Sequence, residues 1–190
     1  MDPHLAPNDK LMFYKYLDKS SVYFEYGSGG STYQASIRDN IKKIYSVESD
    51  MKWQNILKQK ITKTDITFIY NEMDTRPDTW GNPGPNCTNI QQINYSNHMG
   101  KLNKADQSNI DLILIDGRFR AACCLKCFNI IKPSCLIAFD DFLNRKEYHI
   151  VLNYFDIVDK TADKRMVILR KKNNVDIPQK FIKIYELRRG

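Results

Sequence analysis

Apolar and polar positions alternate along Val22-Tyr23-Phe24-Glu25-Tyr26, a run of β-formers with period two, and the run stops at Gly27-Ser28-Gly29-Gly30. That predicts a strand ending in a tight turn. Ser31 or Thr32 then stands where a helix through Tyr33, Ala35, Ile37 and Ile41 needs a cap, so the first helical N–H groups face the turn. Lys43 to Glu48 reads as a second strand. Ser49 is placed to cap a helix through Trp53, Ile56 and Leu57, and Ile66 to Tyr70 makes a third strand. Asp111 to Asp116 is a short apolar run bounded by acids, the pattern of a parallel strand buried on both faces.

Past Gly117, Arg118 to Ile131 reads as a helix ended by Lys132-Pro133, and Cys135 to Phe139 as a fifth strand ended by Asp140-Asp141. A helix over Arg145 to Tyr154 follows. Phe155 to Asp159 and Arg165 to Arg170 form an antiparallel pair joined by Thr161-Ala162-Asp163. Phe181 to Leu187 reads as an extra edge strand or a tail. Two stretches fall outside the alternation. Residues 1–15 form a lead-in that carries a short amphipathic helix at Leu11 to Leu17. Residues 71–109 include the breaker-rich Arg76-Pro77-Asp78-Thr79-Trp80-Gly81-Asn82-Pro83-Gly84-Pro85, with weak helical patterning at Ile90 to Met99. An irregular segment of that length in a compact domain is functional or disordered.

Composition adds bounds. At 190 residues the expectation is one domain over 1–190, with 42% hydrophobic and 27% charged residues in the ordinary range of water-soluble chains. No apolar run approaches the ~18 residues of a membrane span, and Met1-Asp2-Pro3-His4 lacks a signal peptide's pattern, so the cytoplasm is expected. Cys123-Cys124 and Cys127, with Cys87 and Cys135, are read as small core hydrophobes rather than a zinc or redox site. The net charge of +7 is scattered apart from Arg170-Lys171-Lys172 and Arg188-Arg189, which argues for a solvated surface over a nucleic-acid stripe.

Glu48 stands 21 positions after Gly27, close to the ~20 expected for a carboxylate that holds ribose hydroxyls. Glu25-Tyr26-Gly27-Ser28-Gly29-Gly30-Ser31-Thr32 resembles the E/D-x-G-x-G-x-G motif of class I S-adenosylmethionine (SAM)-dependent methyltransferases, with Glu48 matching their ribose-binding acid. The third glycine is displaced, since Gly30 adjoins Gly29 and Ser occupies position 31. NAD-binding domains are the rival, but Thr32 breaks their G-x-G-x-x-G, and the acid ahead of Gly27 favours SAM. The resemblance covers Tyr16 to Lys171. It implies an α/β fold: a single Rossmann-like doubly wound sheet, mostly parallel with an antiparallel edge hairpin, and helices on both faces. It implies a short N-terminal helix over the nucleotide pocket and Glu72 to Asp74 beside the adenine. The SAM-binding set it implies is Glu25, Gly27, Ser28, Gly29, Ser31, Thr32, Glu48, Ser49, Asp74 and Asp116.

Glu48, Asp116, Asp140 and Asp141 all fall at carboxyl ends of strands, where such sheets bind ligands. Asp116, Asp140 and Asp141 converge if their strands are neighbours, and three close carboxylates need a positive partner, for which Mg²⁺ or Mn²⁺ is the natural choice. Ile115-Asp116-Gly117 followed about two dozen residues later by Phe139-Asp140-Asp141-Phe142 resembles the I-D-G … D-D-Y pattern of metal-dependent sugar O-methyltransferases. Arg118 departs from that pattern, where another acid is frequent. The plainer alternative is that Asp140 or Asp141 caps the next helix. Without a metal, Asp116, Asp140, His149 or His98 is the candidate base. Arg118 and Arg120 either clamp an anionic acceptor or pair with Asp116, and Tyr95 and His98 are expected in a lid over the acceptor. Y-G-S-G-G-S-T and L-I-D-G-R-F-R are similar to methyltransferase modules of large algal DNA viruses (chloroviruses), which implies a glycan sugar hydroxyl, rhamnose among them, and a viral protein in its host's cytoplasm. The rival functions are a nucleic-acid or small-molecule methyltransferase and a non-catalytic SAM-binding relative.

Overall fold

The computed structural model describes residues 1–163 and 165–188; Arg189, expected in a basic pair with Arg188, lies outside the described residues. Seven strands form one sheet in the order β3-β2-β1-β4-β5-β7-β6, built from β1 (Val22–Tyr26), β2 (Lys43–Glu48), β3 (Ile66–Tyr70), β4 (Leu112–Ile115), β5 (Leu136–Phe139), β6 (Phe155–Lys160) and β7 (Val167–Lys171). All pairings from β3 to β5 are parallel, and β7 runs antiparallel to both β5 and β6. The expected hairpin is therefore present, with β7 inserted against β5 and β6 left at the edge.

Alternation along β1 sets the two layers, because successive side chains point to opposite faces. Tyr23 joins α1 (Pro7–Leu17) and α2 (Gly30–Ser36) through Phe13, Leu17 and Ala35 on one face. Phe24 and Tyr26 face the other side, covered by α4 (Asn89–Asn97), α6 (Arg120–Cys127), the 3₁₀ stretch Lys146–Asn153 and α7 (Gln179–Tyr185). Phe13 and Leu17 are fully buried, each stabilising the docking of α1 by roughly 2 kcal/mol. The remaining helices are α3 (Met51–Lys60) and α5 (Lys104–Asn109).

Several local expectations change. Phe181 to Leu187 is neither strand nor tail: most of it lies in α7, whose Ile182 and Tyr185 pack into the core and whose Glu186 pairs with Lys126 at 2.6 Å. Asp50, not Ser49, caps α3, accepting from Trp53 N at 3.0 Å, and Ile56 is exposed. The helix expected from Arg118 starts only at Arg120, because Phe119 takes a left-handed φ of 51°. Residues 71–109 hold α4, α5 and a 3₁₀ turn, leaving a much shorter irregular loop. All five cysteines are buried, and burial pushes the Cys135 thiol up to about 12.

Candidate cofactor and catalytic site

Strand order reverses between β1 and β4, and the ends of these two strands meet at glycines. Gly27 has φ +97°, and a Cβ on it would approach the Gly117 backbone to 2.8 Å. A Cβ on Gly117 would lie 2.0 Å from the Tyr95 hydroxyl. Gly29 faces open space, whereas a Cβ on Gly30 would sit 2.1 Å from the carbonyl oxygen of Asp2. The displaced third glycine thus has a cause: the chain before α1 crosses the start of α2 there. Met1 is tied down by Gln34 Nε2, which donates to its carbonyl at 3.0 Å. This crossing segment, rather than the short helix, lies over the turn; α1 itself packs on the sheet.

Neither Ser31 nor Thr32 caps α2, whose N-cap is Gly29; Thr32 Oγ1 accepts from Gly29 N at 2.9 Å from the third helical position. Both side chains turn inward to Glu25, which is fully buried. Its Oε2 accepts from Tyr23 Oη (2.8 Å) and Ser31 Oγ (2.7 Å), and its Oε1 from Ser46 Oγ (2.6 Å) and Thr32 Oγ1. Burial raises its pKa and the four hydroxyls oppose that rise. With every acceptor position engaged, Glu25, Ser31 and Thr32 brace β1, β2 and α2 below the turn and do not reach its open side.

Glu48 ends β2 and ties two loops together. Oε2 accepts from Ser28 N (3.1 Å), while Oε1 accepts from Ser49 N (2.6 Å) and Asp50 N (2.9 Å). A carboxylate oxygen has two acceptor positions, so Oε2 keeps one. Trp53 Nε1 donates to the carbonyl of Ser28 at 2.8 Å, fixing the turn from the side of α3. Above lies the loop 75–84, closed on itself by the Thr75–Pro83 bridge and by Arg76 N, which donates to the Asn82 carbonyl. Its Gly81 backs onto Ser49 and Glu48, and Asn82 Oδ1 accepts from Arg118 Nη1 at 2.7 Å. Asp74 secures its base, accepting from Asn86 N at 2.8 Å.

The acids at the ends of β4 and β5 do converge, and guanidinium groups hold them. Arg120 reaches Asp116 Oδ1 at 2.9 Å, Asp140 Oδ2 at 3.4 Å and Asp141 Oδ2 at 3.6 Å. Arg145 and Arg165 take Asp141 at 2.9 and 2.6 Å. Burial, then the charge of Asp116, raises the pKa of Asp140, and its Oδ1 is buried without a hydrogen-bond partner. This donor set does not fit a divalent cation: its charge is already balanced, and among the described residues no group of three or more His, Cys, Asp or Glu side chains is arranged to hold one. The expectation of metal on Asp116, Asp140 and Asp141 is corrected on that ground. Asp141, at φ +56°, caps no helix.

The other expected residues divide. Arg118 has no carboxylate within ion-pair distance among the described residues, though Asp116 attracts it; its Nε is buried and unbonded, and burial and Arg120 lower its pKa. Tyr95 and His98 form no lid. Tyr95 is a buried wedge beneath Gly117, packed on Tyr26 and Phe119, and its hydroxyl accepts from Arg118 N at 3.4 Å. His98 is buried on Asn71 at 2.9 Å, its pKa lowered to about 4 by burial. His149 is half-buried and its Nε2 donates to the Phe142 carbonyl at 3.2 Å, which leaves Nδ1 as the nitrogen able to accept a proton.

Sequence reading missed Arg145, Arg165, Trp53, Ser46 and Asn82. The pairing of Arg120 with Asp116, one of the two readings of that arginine, is present at 2.9 Å, and one signal for Arg145 was available in its four-residue spacing from Asp141, although the chain between them is a turn and not a helix.

Neither a protein-family model nor a curated protein matches this chain. Solved structures do. A methyltransferase-like protein from Silicibacter pomeroyi DSS-3 superposes with TM-score 0.83 at 22% identity, over 97% of this chain and 97% of its own. A caffeoyl-CoA O-methyltransferase candidate from Staphylococcus aureus gives 0.53 at 17% identity, over 90% and 86%. The B. subtilis M1A22 tRNA methyltransferase gives 0.53 at 10% identity, over 88% and 67%. Likeness at these identities concerns architecture, and the strand order, the reversed β7 and the glycine contact at the switch point agree with it: the chain has the Rossmann-like fold of class I methyltransferases.

Proposed function

We propose that this protein is a SAM-dependent O-methyltransferase acting on a sugar hydroxyl of a glycan, rhamnose among the candidates. The observation that carries the reading is the row of features at the carboxyl ends of adjacent strands: the open face of Gly29, the remaining acceptor position of Glu48, and the Asp116–Asp140 pair. Gly27 to Gly29 would take the methionine moiety and Glu48 the ribose hydroxyls, with Ser49 and Asp74 flanking.

Bound SAM supplies a methyl group made electrophilic by its sulfonium. This chain's residues must orient a hydroxyl toward it and take the proton as the oxygen–carbon bond forms and the carbon–sulfur bond breaks. A neutral sugar hydroxyl is too weakly acidic to ionise unaided near neutral pH, so a base of raised pKa helps. Asp140 has the raised carboxyl and an unbonded Oδ1, and Asp116 beside it shares that role. Arg118 suits a negative group on the acceptor.

Titration calorimetry with S-adenosylhomocysteine tests the cofactor half. Glu48→Ala should weaken binding by about 1–2 kcal/mol, the scale of a charge-assisted hydrogen bond, and unchanged affinity would overturn the assignment. Transfer of labelled methyl to rhamnosides tests the acceptor half: cofactor binding with no transfer to any glycoside would remove the sugar.

A further inference from the structure

Arg120 is held as a coordinated ion is held. Its Nε donates to the Gly117 carbonyl (3.1 Å), its Nη1 to the Asp140 carbonyl (2.8 Å) and carboxylate (3.4 Å), and its Nη2 to the Asp116 carbonyl (3.1 Å) and carboxylate (2.9 Å). With Asp141 Oδ2 at 3.6 Å, six oxygens surround one guanidinium whose side chain is 7% exposed. Two residues off the usual backbone map frame it. Phe119 at φ 51° turns Arg120 into the cluster, and Asp141 at φ 56° turns its carboxylate toward Arg120, Arg145 and Arg165. Left-handed backbone at residues other than glycine is unfavourable, and such strain gathers where a site demands it. Four carboxylates, with Asp9 3.4 Å from Arg165 beside Asp116, Asp140 and Asp141, stand among the four guanidinium groups of Arg118, Arg120, Arg145 and Arg165, so the cluster is electrically complete, and a divalent cation would bring two surplus charges into a buried place.

We propose that Arg120 is a built-in cation: it fills, permanently and covalently, the place a divalent metal would take among these acids, and acts as the positioning residue for Asp116 and Asp140. Any role in turnover rests on the methyl-transfer reading above. The binding consequence does not, so the two can fail separately. If Arg120 is what closes the site, its removal should free the carboxylates of Asp116 and Asp140 and the backbone carbonyls of Asp116, Gly117 and Asp140 for a hard cation, the ligand type that suits Mg²⁺ and Mn²⁺, while Asp141 stays with Arg145 and Arg165.

The test is Mn²⁺ binding to the full chain, followed by electron paramagnetic resonance and by the urea midpoint. The wild type should bind no tighter than about 1 mM, and Arg120→Gln should bind at least ~100-fold tighter, with Mn²⁺ raising its midpoint. Adding Asp140→Asn should erase the gain, and Arg120→Lys, which keeps a charge in place, should show none. Tight Mn²⁺ binding by the wild type would overturn the proposal, as would a folded Arg120→Gln that gains nothing. An Arg120→Gln chain that folds only with Mn²⁺ supports it. If that variant folds in neither state, the wild-type affinity decides.

Discussion

His98 shows how a single residue can look catalytic in sequence and prove structural. It is 9% exposed, and its Nε2–H donates to Asn71 Oδ1, whose Nδ2 donates to the Gln91 carbonyl; that bond survives protonation, so it is burial away from water, helped by the charge of Lys101, that disfavours the imidazolium. Its folded pKa, about 4, lies below the unfolded value of 6.5, so the unfolded chain binds more protons between these values. Stability contributed by neutral His98 is complete above pH 6.5 and is lost as pH falls toward 4. Between pH 7 and 4.5 the loss should be about 2–3 kcal/mol, read from urea midpoints, and His98→Gln should remove most of that slope. An unchanged slope in the variant would mean that other groups carry it. Glu25 carries the same lesson. Its place before the glycine turn was legible, but that four hydroxyls consume it follows only once β2 is paired beside β1. The cations of Asp141 were equally hidden, since Arg165 comes from 24 residues away at the far end of the β6–β7 hairpin.

At the scale of elements, all seven strands and the glycine turn could be read from period and punctuation because each is decided within a few residues. The covering segments could not. The loop 75–84 and residues 1–5 have no periodicity, and what seats them is contact with distant backbone: Gly81 on Ser49, Gly30 under Asp2. They meet through His4 and the exposed Trp80, ring centroids 4.8 Å apart, so together they form a two-part cover over the turn and Glu48. Gly30→Ala places a methyl group inside the Asp2 carbonyl and should lift residues 1–5 away while leaving the sheet intact. Expected results are faster proteolysis ahead of α1, a shifted Trp80 emission and a midpoint change of roughly 1 kcal/mol or less. Trp53, bonded to Ser28, should report no change, a contrast resolved by comparing Trp80→Phe and Trp53→Phe backgrounds. Unaltered emission and proteolysis would show that the cover is held elsewhere.

For the molecule as a whole, strand order decides which charges meet. Placing β4 between β1 and β5 brings Asp116 beside Asp140, and inserting β7 next to β5 delivers Arg165 to Asp141. The convergence of the acids was legible, because neighbouring parallel strands end together. Their neutralisation was not, because it depends on side chains from α6, the segment after β5 and the hairpin. That difference reverses an expectation about turnover. Three acids alone would require a metal, and the reaction would stop in EDTA. With Arg120, Arg145 and Arg165 in place, methyl transfer to a glycoside should keep its rate in EDTA within about twofold, while Asp140→Asn should lower kcat by roughly 100-fold or more with S-adenosylhomocysteine affinity unchanged. Loss of turnover in EDTA restored by Mn²⁺ would contradict the charge argument, since a cluster already neutral has no electrostatic reason to admit a second cation.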